Sequence, residues 1–140
     1  MKLLFITAIV LATALPIFGI TIDRCTLVKK MYAMGVPKSD LPKWACIAEH
    51  ESNYRLHIVG PKNRDGTQDY GVFQINNRWW CKDVSGRKTA NGCKIGCNEL
   101  LDNLDKSVKC ALTVKKEQGW SAWTTLKFCE GKLPSVDSCF

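Results

Sequence analysis

Beyond residue 20 the sequence contains no long apolar run, no low-complexity segment, no internal repeat and no linker. The absence of a second apolar run leaves no candidate for a membrane-spanning helix, which needs about 20 such residues. Without a linker there is no reason to place a domain boundary, and roughly 120 residues are the usual size of one domain. Histidine is scarce, and acidic residues are outnumbered by basic ones, 13 to 20. We therefore expect a single basic domain.

The long apolar run that the chain does have lies at its start, over Leu3–Leu15, behind the single basic residue Lys2. It is short for a membrane span, and the small residue Gly19 follows it. This is the layout of a secretory signal peptide. A signal anchor is the alternative, because Ile17 is a poor residue three positions before the expected cleavage.

With residues 1–19 interpreted as a signal peptide, residues 20–140 form the expected domain, secreted and extracellular. Loss of Lys2 lowers the formal net charge from +7 to +6. Export argues against nucleic acid as the natural partner. A basic exported protein suits weak electrostatic contact with anionic bacterial surfaces, weakening as salt rises. On charge alone, simple solubility explains the excess equally well.

Cysteine is abundant, yet the chain lacks the paired C-x₂-C spacing typical of zinc sites. The closest spacing is Cys93 to Cys97. An even number of cysteines in an exported domain instead predicts four disulfides. Their spacing does not choose among the pairings. The eight residues are Cys25, Cys46, Cys81, Cys93, Cys97, Cys110, Cys129 and Cys139.

Helical patterns occupy both ends of the domain. Asp23 to Met34 forms the first predicted helix, with Asp23 as N-cap. The second begins at Ser39 or Asp40 and runs to about Ser52. Near the C-terminus, apolar positions from Leu101 to Lys115 predict a third helix, and a shorter one follows from Trp120 to about Lys127.

The segment 55–80 differs, because Asp65-Gly66 lies between short β-type runs and predicts a tight hairpin. One small antiparallel sheet within a mainly helical chain gives an α+β fold, clamped by four disulfides.

Three ionisable residues stand together in the second helix, in the stretch AEHESNY. At about 100° per residue, Glu51 falls on the apolar face between Trp44 and Ile47, whereas Glu49 and His50 fall off it. A carboxylate on an apolar face is either a paired structural residue or a desolvated acid that keeps its proton and can donate it. The spacing alone leaves both open. Histidines 50 and 57 lack the i, i+4 spacing of a helical zinc pair, so we expect surface or loop positions.

Glycosidic chemistry would require a second carboxylate across a cleft. Asp69 is the best candidate, because it lies in a predicted strand, where aspartate is disfavoured. Asp65 is better explained by turn chemistry. Amide side chains near Asp69 would keep it ionised. They are Asn63, Gln74, Asn76 and Asn77.

Tryptophans occur as two pairs. For Trp79 and Trp80 we expect one exposed ring suited to stacking on a sugar and one core ring. Trp120 and Trp123 have helical i, i+3 spacing. Core packing is the default for that pair, although one of them could form an apolar wall against Glu51.

Together these motifs resemble the c-type lysozyme family. The resemblance rests on W-x-C-x₄-E-S-N from Trp44, D-G-T-Q-D-Y-G-x-x-Q-I-N from Asp65, N-x-W-W-C from Asn77, and C-x₃-C from Cys93. It spans the whole expected mature chain. Slightly longer segments before Asp69 and after Trp120, with shortened surface loops, fit an invertebrate, insect-like branch.

The resemblance implies a glycoside hydrolase that cleaves the β-1,4 bond between N-acetylmuramic acid and N-acetylglucosamine in peptidoglycan, with retention. Glu51 corresponds to the general acid and Asp69 to the nucleophile or electrostatic stabiliser. Lysozymes are the type example of such a carboxylate pair, so this assignment follows that example. Trp120 corresponds to the tryptophan packed against the acid. Sugar-binding positions are expected at Asn63, Gln74, Asn76, Trp79, Trp80 and Trp120.

The same resemblance implies four disulfide pairings: Cys25–Cys139, Cys46–Cys129, Cys81–Cys97 and Cys93–Cys110. No cofactor and no metal are expected, and the protein is expected to be a monomer.

Two rival functions stay open. An α-lactalbumin-like regulatory protein would share the fold and bind calcium. Lys106 and Ser107 replace the last two calcium ligands of that branch, which argues against tight calcium binding. A non-catalytic cationic protein that disrupts bacterial membranes is the second rival. The positive charge favours a role in defence over one in digestion.

Overall fold

The computed structural model describes residues 3–10 and 19–140. Part of the predicted signal peptide, residues 1–2 and 11–18, therefore lies outside the described residues. Residues 3–10 carry no helix or strand. None of the helices in the described ranges is long and apolar enough to cross a membrane.

Three α-helices form the helical part: α1 is Arg24–Ala33, α2 is Leu41–Ser52 and α3 is Leu104–Gln118. Local capping explains where they begin. The Asp23 side chain accepts a hydrogen bond from the Thr26 N–H at the start of α1, and Asn103 accepts one from Lys106 at the start of α3. Asn53, in the left-handed conformation at φ 54°, ends α2.

The third predicted helix begins three residues too early. Cys97–Leu100 is a separate 3₁₀ helix, Leu101 is extended, and α3 begins only after Asn103. The interruption has a local cause, because Asp102 lies in the left-handed region at φ 53° and cannot continue a right-handed helix. Apolar spacing does not reveal such a break.

The prediction of one helix from Trp120 to about Lys127 is also wrong. That segment forms two 3₁₀ helices, Trp120–Ala122 and Thr124–Phe128, on either side of an extended Trp123. The Trp123 indole N–H donates to the Phe73 carbonyl at 2.9 Å. A contact far along the chain thus overrides the local helical spacing.

The sheet consists of β1, Asp69–Tyr70, and β2, Ile75–Asn76, paired antiparallel with Asp69 opposite Asn76. The predicted turn at Asp65–Gly66 does join antiparallel segments, because Val59 forms a bridge to Tyr70 and the Gly60 N–H donates to the Asp69 carbonyl at 2.8 Å. The connection is longer than the predicted tight turn. The tight connection is the one between β1 and β2, residues 71–74.

Helix α2 passes through the core, so two of its sides are covered. It packs on α1 and on Thr124–Phe128, and Trp44 is fully buried beside the rings of Phe73 and Trp123 at 5.3 and 5.1 Å. Cys46, which lies off the apolar stripe, is buried by its disulfide to Cys129.

All four implied disulfide pairings are confirmed. The bond between Cys25 and Cys139 joins α1 to the C-terminal end of the chain. Closing so long a loop contributes roughly 4–5 kcal/mol in the chain-entropy model. The α+β architecture with a small antiparallel sheet is likewise the predicted one.

Candidate active site

A cleft of about 900 Å³ separates the helical part from the sheet. Its residues come from the end of α2, both strands, the segment after β2, and the region that follows α3. They are Glu51, Asn63, Asp69, Gln74, Ile75, Asn76, Trp79, Trp80, Ala90, Gly92, Val114, Glu117, Gln118, Ala122, Trp123 and Thr124. The two predicted catalytic carboxylates thus line the same cleft from opposite elements.

Glu51 lies in the last turn of α2 and is partly buried, on the face that the helical phase predicted. Its Oε1 accepts one hydrogen bond, from the Thr125 hydroxyl at 2.9 Å. Burial raises the pKa of Glu51; the Thr125 bond opposes this, and the nearby charge of Asp69 adds to the rise. The acid therefore keeps its proton to higher pH than an exposed glutamate would.

Asp69 has polar surroundings instead. The Asn63 amide donates to its Oδ2 at 3.1 Å, and the Asn76 amide donates to its Oδ1 at 2.9 Å. Both carboxylate oxygens of Asp69 are therefore held in place by side-chain amides. The pairing of Asp69 with Asn76 in the sheet register brings one of the two donors directly across from it.

A third residue, Thr67, organises these amides, although the sequence reasoning missed it. Its side chain is buried, and its hydroxyl oxygen accepts from both Asn63 and Asn76 at 3.0 Å. The hydroxyl itself donates to Asp65 Oδ1 at 2.6 Å. The signal in the sequence was the D-G-T turn, where an aspartate side chain commonly binds groups two residues ahead.

The amides expected to bind sugar are thus engaged within the protein. Gln74 lines the cleft, but its amide donates to the carbonyls of Gly71 and Ile58 at 2.9 and 3.2 Å. Asn63 and Asn76 direct their amide groups to Asp69 and Thr67. Their immediate role is to hold the strand and the carboxylate, and direct contact with sugar stays a prediction.

One of the pair Trp79 and Trp80 is exposed, as expected, but the other is not a fully buried core ring. Trp79 is 52 % exposed, with the Arg78 guanidinium 4.8 Å from its ring centre, whereas Trp80 is half-buried against the core. Both line the cleft. An exposed indole at the cleft edge is suited to stacking on the apolar face of a sugar ring.

The expectation for Trp120 needs correction. In the described part of the chain Trp120 is not a cleft residue; it packs on Trp44 at 4.8 Å, with Lys43 and Lys115 over its face at 5.3 and 4.6 Å. The tryptophan that shares the cleft with Glu51 is Trp123, which is buried. The resemblance assigned this place to Trp120, whereas the break in the helical structure at Trp123 turns the Trp123 ring toward the cleft.

The end of α3 supplies cleft residues that the sequence reasoning did not name, including Val114 and the exposed carboxylate of Glu117. Only the packing of α3 against the other elements places them there. No motif in the sequence marked them.

Only one group of described histidine, cysteine and carboxylate side chains is close enough to be considered as a metal site. It comprises Cys46, His50 and Cys129. The two sulfur atoms are joined in a disulfide, so neither can supply a thiolate ligand. His50 is exposed and stacks on Phe128 at 5.0 Å, in agreement with the predicted surface position.

Comparison with known proteins gives a consistent result. The model of the C-type lysozyme/alpha-lactalbumin family matches residues 20–139. Lysozyme 1 of Musca domestica is 52% identical over 141 residues, with complete coverage of both chains. Lysozyme E of Drosophila melanogaster is 53% identical and covers 97% of this chain and 98% of its own. The crystal structure of lysozyme from Equus asinus is 38% identical, with a TM-score of 0.77, covering 86% of this chain and 98% of that one.

Proposed function

The chain belongs to the C-type lysozyme/alpha-lactalbumin family and has the function of a lysozyme, a glycoside hydrolase, and on this premise we propose that Glu51 and Asp69 carry the reaction. The substrate is the β-1,4 bond between N-acetylmuramic acid and N-acetylglucosamine in peptidoglycan. The main support for this proposal is that two carboxylates face each other in one cleft. Glu51 on the helical side is partly buried, and Asp69 on the sheet side accepts hydrogen bonds from side-chain amides.

In the first step Glu51 gives its proton to the glycosidic oxygen as the bond to the anomeric carbon breaks. The Asp69 carboxylate attacks that carbon and forms a glycosyl ester. In the second step water attacks the same carbon and passes a proton to Glu51, which frees Asp69 and the sugar. Two inversions at one carbon give retention.

Around this centre, Trp79 and Trp80 supply faces for sugar rings, with Asn63, Gln74 and Asn76 beside them. Trp123 supplies the apolar wall on the side of Glu51. We keep Trp120 as a support for Trp44 and assign it no contact with substrate.

An α-lactalbumin-like calcium protein fits this chain less well. Lys106 pairs with Glu99 at 3.1 Å, and the Ser107 hydroxyl is buried and donates to the Leu100 carbonyl at 2.9 Å. Their positions correspond to calcium ligands in that branch, yet both side chains are engaged elsewhere. Calcium prefers several carboxylate and carbonyl oxygens.

The remaining features complete the proposal. Residues 1–19 act as a signal peptide and residues 20–140 as a secreted, extracellular, monomeric domain. The basic surface aids weak binding to anionic bacterial walls, so lysis should slow as salt rises. Defence against bacteria suits this charge better than digestion does.

The test is the variant Glu51→Gln, with Glu49→Gln as matched control on the exposed side of the same helix. Removal of a general acid should slow the clearing of a peptidoglycan suspension about 100- to 10,000-fold, while the control clears at the normal rate. Unchanged clearing by Glu51→Gln would refute the acid assignment. Killing of live bacteria without clearing would reveal membrane disruption as a separate activity.

A further inference from the structure

The first residues of the expected mature chain are paired with the segment that follows α2. The Leu56 N–H donates to the Ile20 carbonyl at 2.8 Å, and the Ile22 N–H donates to the Tyr54 carbonyl at 3.1 Å. Thr21 and Arg55 form an antiparallel bridge between them. The chain is therefore held in place from Ile20 onward by main-chain hydrogen bonds.

Asp102 forms hydrogen bonds with both of these paired segments. Its own N–H donates to the Leu56 carbonyl at 3.0 Å, and it lies in the left-handed conformation between Cys97–Leu100 and the cap of α3. From this fixed backbone its Oδ1 accepts a hydrogen bond from the Ile20 nitrogen at 2.8 Å. The carboxylate is thus aimed at one main-chain nitrogen 82 residues away in sequence.

The residue before this nitrogen is Gly19, and its environment is restrictive. A Cβ atom at position 19 would overlap the side chain of His57, so a larger residue there would have to displace that side chain. Signal peptidases also require a small residue immediately before the cleaved bond. The requirement for a small residue favours cleavage of the bond between Gly19 and Ile20.

We propose that cleavage of this bond creates an N-terminal ammonium group on Ile20 and that Asp102 is its binding site. The inference rests on the proposed secretion. Hydrolysis adds the hydroxyl of water to the Gly19 carbonyl and hydrogen to the Ile20 nitrogen, which then takes up a proton. A neutral amide donor thereby becomes a cation at the same place, and a hydrogen bond between two ions replaces one between an amide and an ion.

An ion pair between the Ile20 ammonium and Asp102 would make the stability of the fold decrease as pH rises. An ammonium that gains a partner contributes stability fully below its unfolded pKa, about 7.7–8.0, and loses the contribution as pH rises through its folded value. The other titratable groups of the paired segment are His57, whose Nδ1 lies 3.3 Å from the Ile20 carbonyl oxygen, together with Tyr54 and Arg55. The measurements are therefore repeated in the presence of His57→Gln, so that titration of His57 does not contribute to the pH dependence.

The experiment uses the chain from Ile20 to Phe140, which contains all four disulfides and every buried core residue of the described part. Asp102→Asn is introduced into this chain and into a chain that retains Gly19 as its first residue. Because the pair is exposed, Asp102→Asn should raise the unfolding equilibrium constant at pH 7 only about two- to fivefold. The effect should be smaller in the Gly19-extended chain, where the Ile20 N–H is only a neutral amide donor to Asp102, and in the chain that starts at Ile20 it should largely disappear near pH 10.

An equal cost of Asp102→Asn in both chains would overturn the proposal, as would a cost that persists at pH 10. A titration of the α-amino group by NMR supplies a second readout, since the ammonium should hold its proton to higher pH in the unsubstituted chain than in Asp102→Asn. Sequencing the N-terminus of the secreted protein tests the cleavage site separately. A start at another residue refutes this inference and leaves the lytic proposal to be judged by Glu51→Gln.

Discussion

The two sides of the cleft place the same chemical group in opposite surroundings. On the helical side, Glu51 shares the cleft with buried Trp123, accepts one hydroxyl bond, and has its pKa raised by burial. On the sheet side, Asp69 accepts hydrogen bonds from two side-chain amides. The elements that carry the carboxylates therefore give one a buried setting that retains a proton and the other a set of hydrogen-bond donors.

Among changes to the two carboxylates' surroundings, we expect the largest loss of lytic activity from removal of the Asp69 carboxylate on the sheet side. Asp69→Asn removes both the carboxylate proposed to form the glycosyl ester and the negative charge that balances the positive charge developing on the sugar. We expect clearing of peptidoglycan to slow by at least about 100- to 1,000-fold, the loss typical of one preorganised electrostatic contact alone. Asp105→Asn, an exposed carboxylate of α3 paired with Lys30, should have no such effect and controls for net charge.

A smaller loss of activity is expected from substitution of Thr67, whose hydroxyl binds the amides of Asn63 and Asn76. Thr67→Val removes the acceptor shared by Asn63 and Asn76 and the donor to Asp65, while nearly keeping the volume. The two amides then lose the bond that fixes their orientation toward Asp69. We expect kcat to fall about tenfold, since misplacement of a supporting group costs on the order of 10- to 100-fold.

Thr67→Ser separates positioning from stability, because it restores the hydroxyl without the methyl group. If Thr67 positions the amides, kcat should recover in this variant even where the melting temperature stays lowered. A loss that follows the melting temperature in both variants would show that Thr67 serves the fold alone.

The sequence predicted the helical side of the cleft better than the sheet side. Helical phase placed Glu51 on the face of Trp44, and the capping residue Asp23 located the start of α1. The phase of one helix is a local property, so single-sequence reasoning can recover it. The arrangement around Asp69 depends on a loop whose geometry is set by side-chain hydrogen bonds, so Thr67 was overlooked.

The errors share a physical cause. Turn chemistry at Asp65–Gly66 predicts a turn without showing how tightly the paired segments are joined, and the tight connection lies at residues 71–74. Helical spacing leaves Trp120 and Trp123 equivalent, because it does not reveal that the Trp123 indole donates to the Phe73 carbonyl, 50 residues away. Long-range contacts decided both outcomes, whereas the disulfide pairing followed from the family resemblance.

The smallest predicted effect concerns the single hydrogen bond on the helical side. Thr125→Val removes the hydroxyl that favours the charged form of Glu51, so burial is left less opposed and the pKa of Glu51 should rise further. Activity requires the protonated acid and falls as pH rises through this pKa. The alkaline limb of kcat/KM, which reports the free enzyme, should therefore move to higher pH, by about half a unit for the loss of one part-buried hydrogen bond.

The direction in which the alkaline limb moves shows whether the Thr125 hydroxyl stabilises the charged or the protonated form of Glu51. Thr124→Val, at the neighbouring exposed position, should leave the alkaline limb unchanged. A limb that moves to lower pH in Thr125→Val would mean that the hydroxyl stabilises the protonated acid.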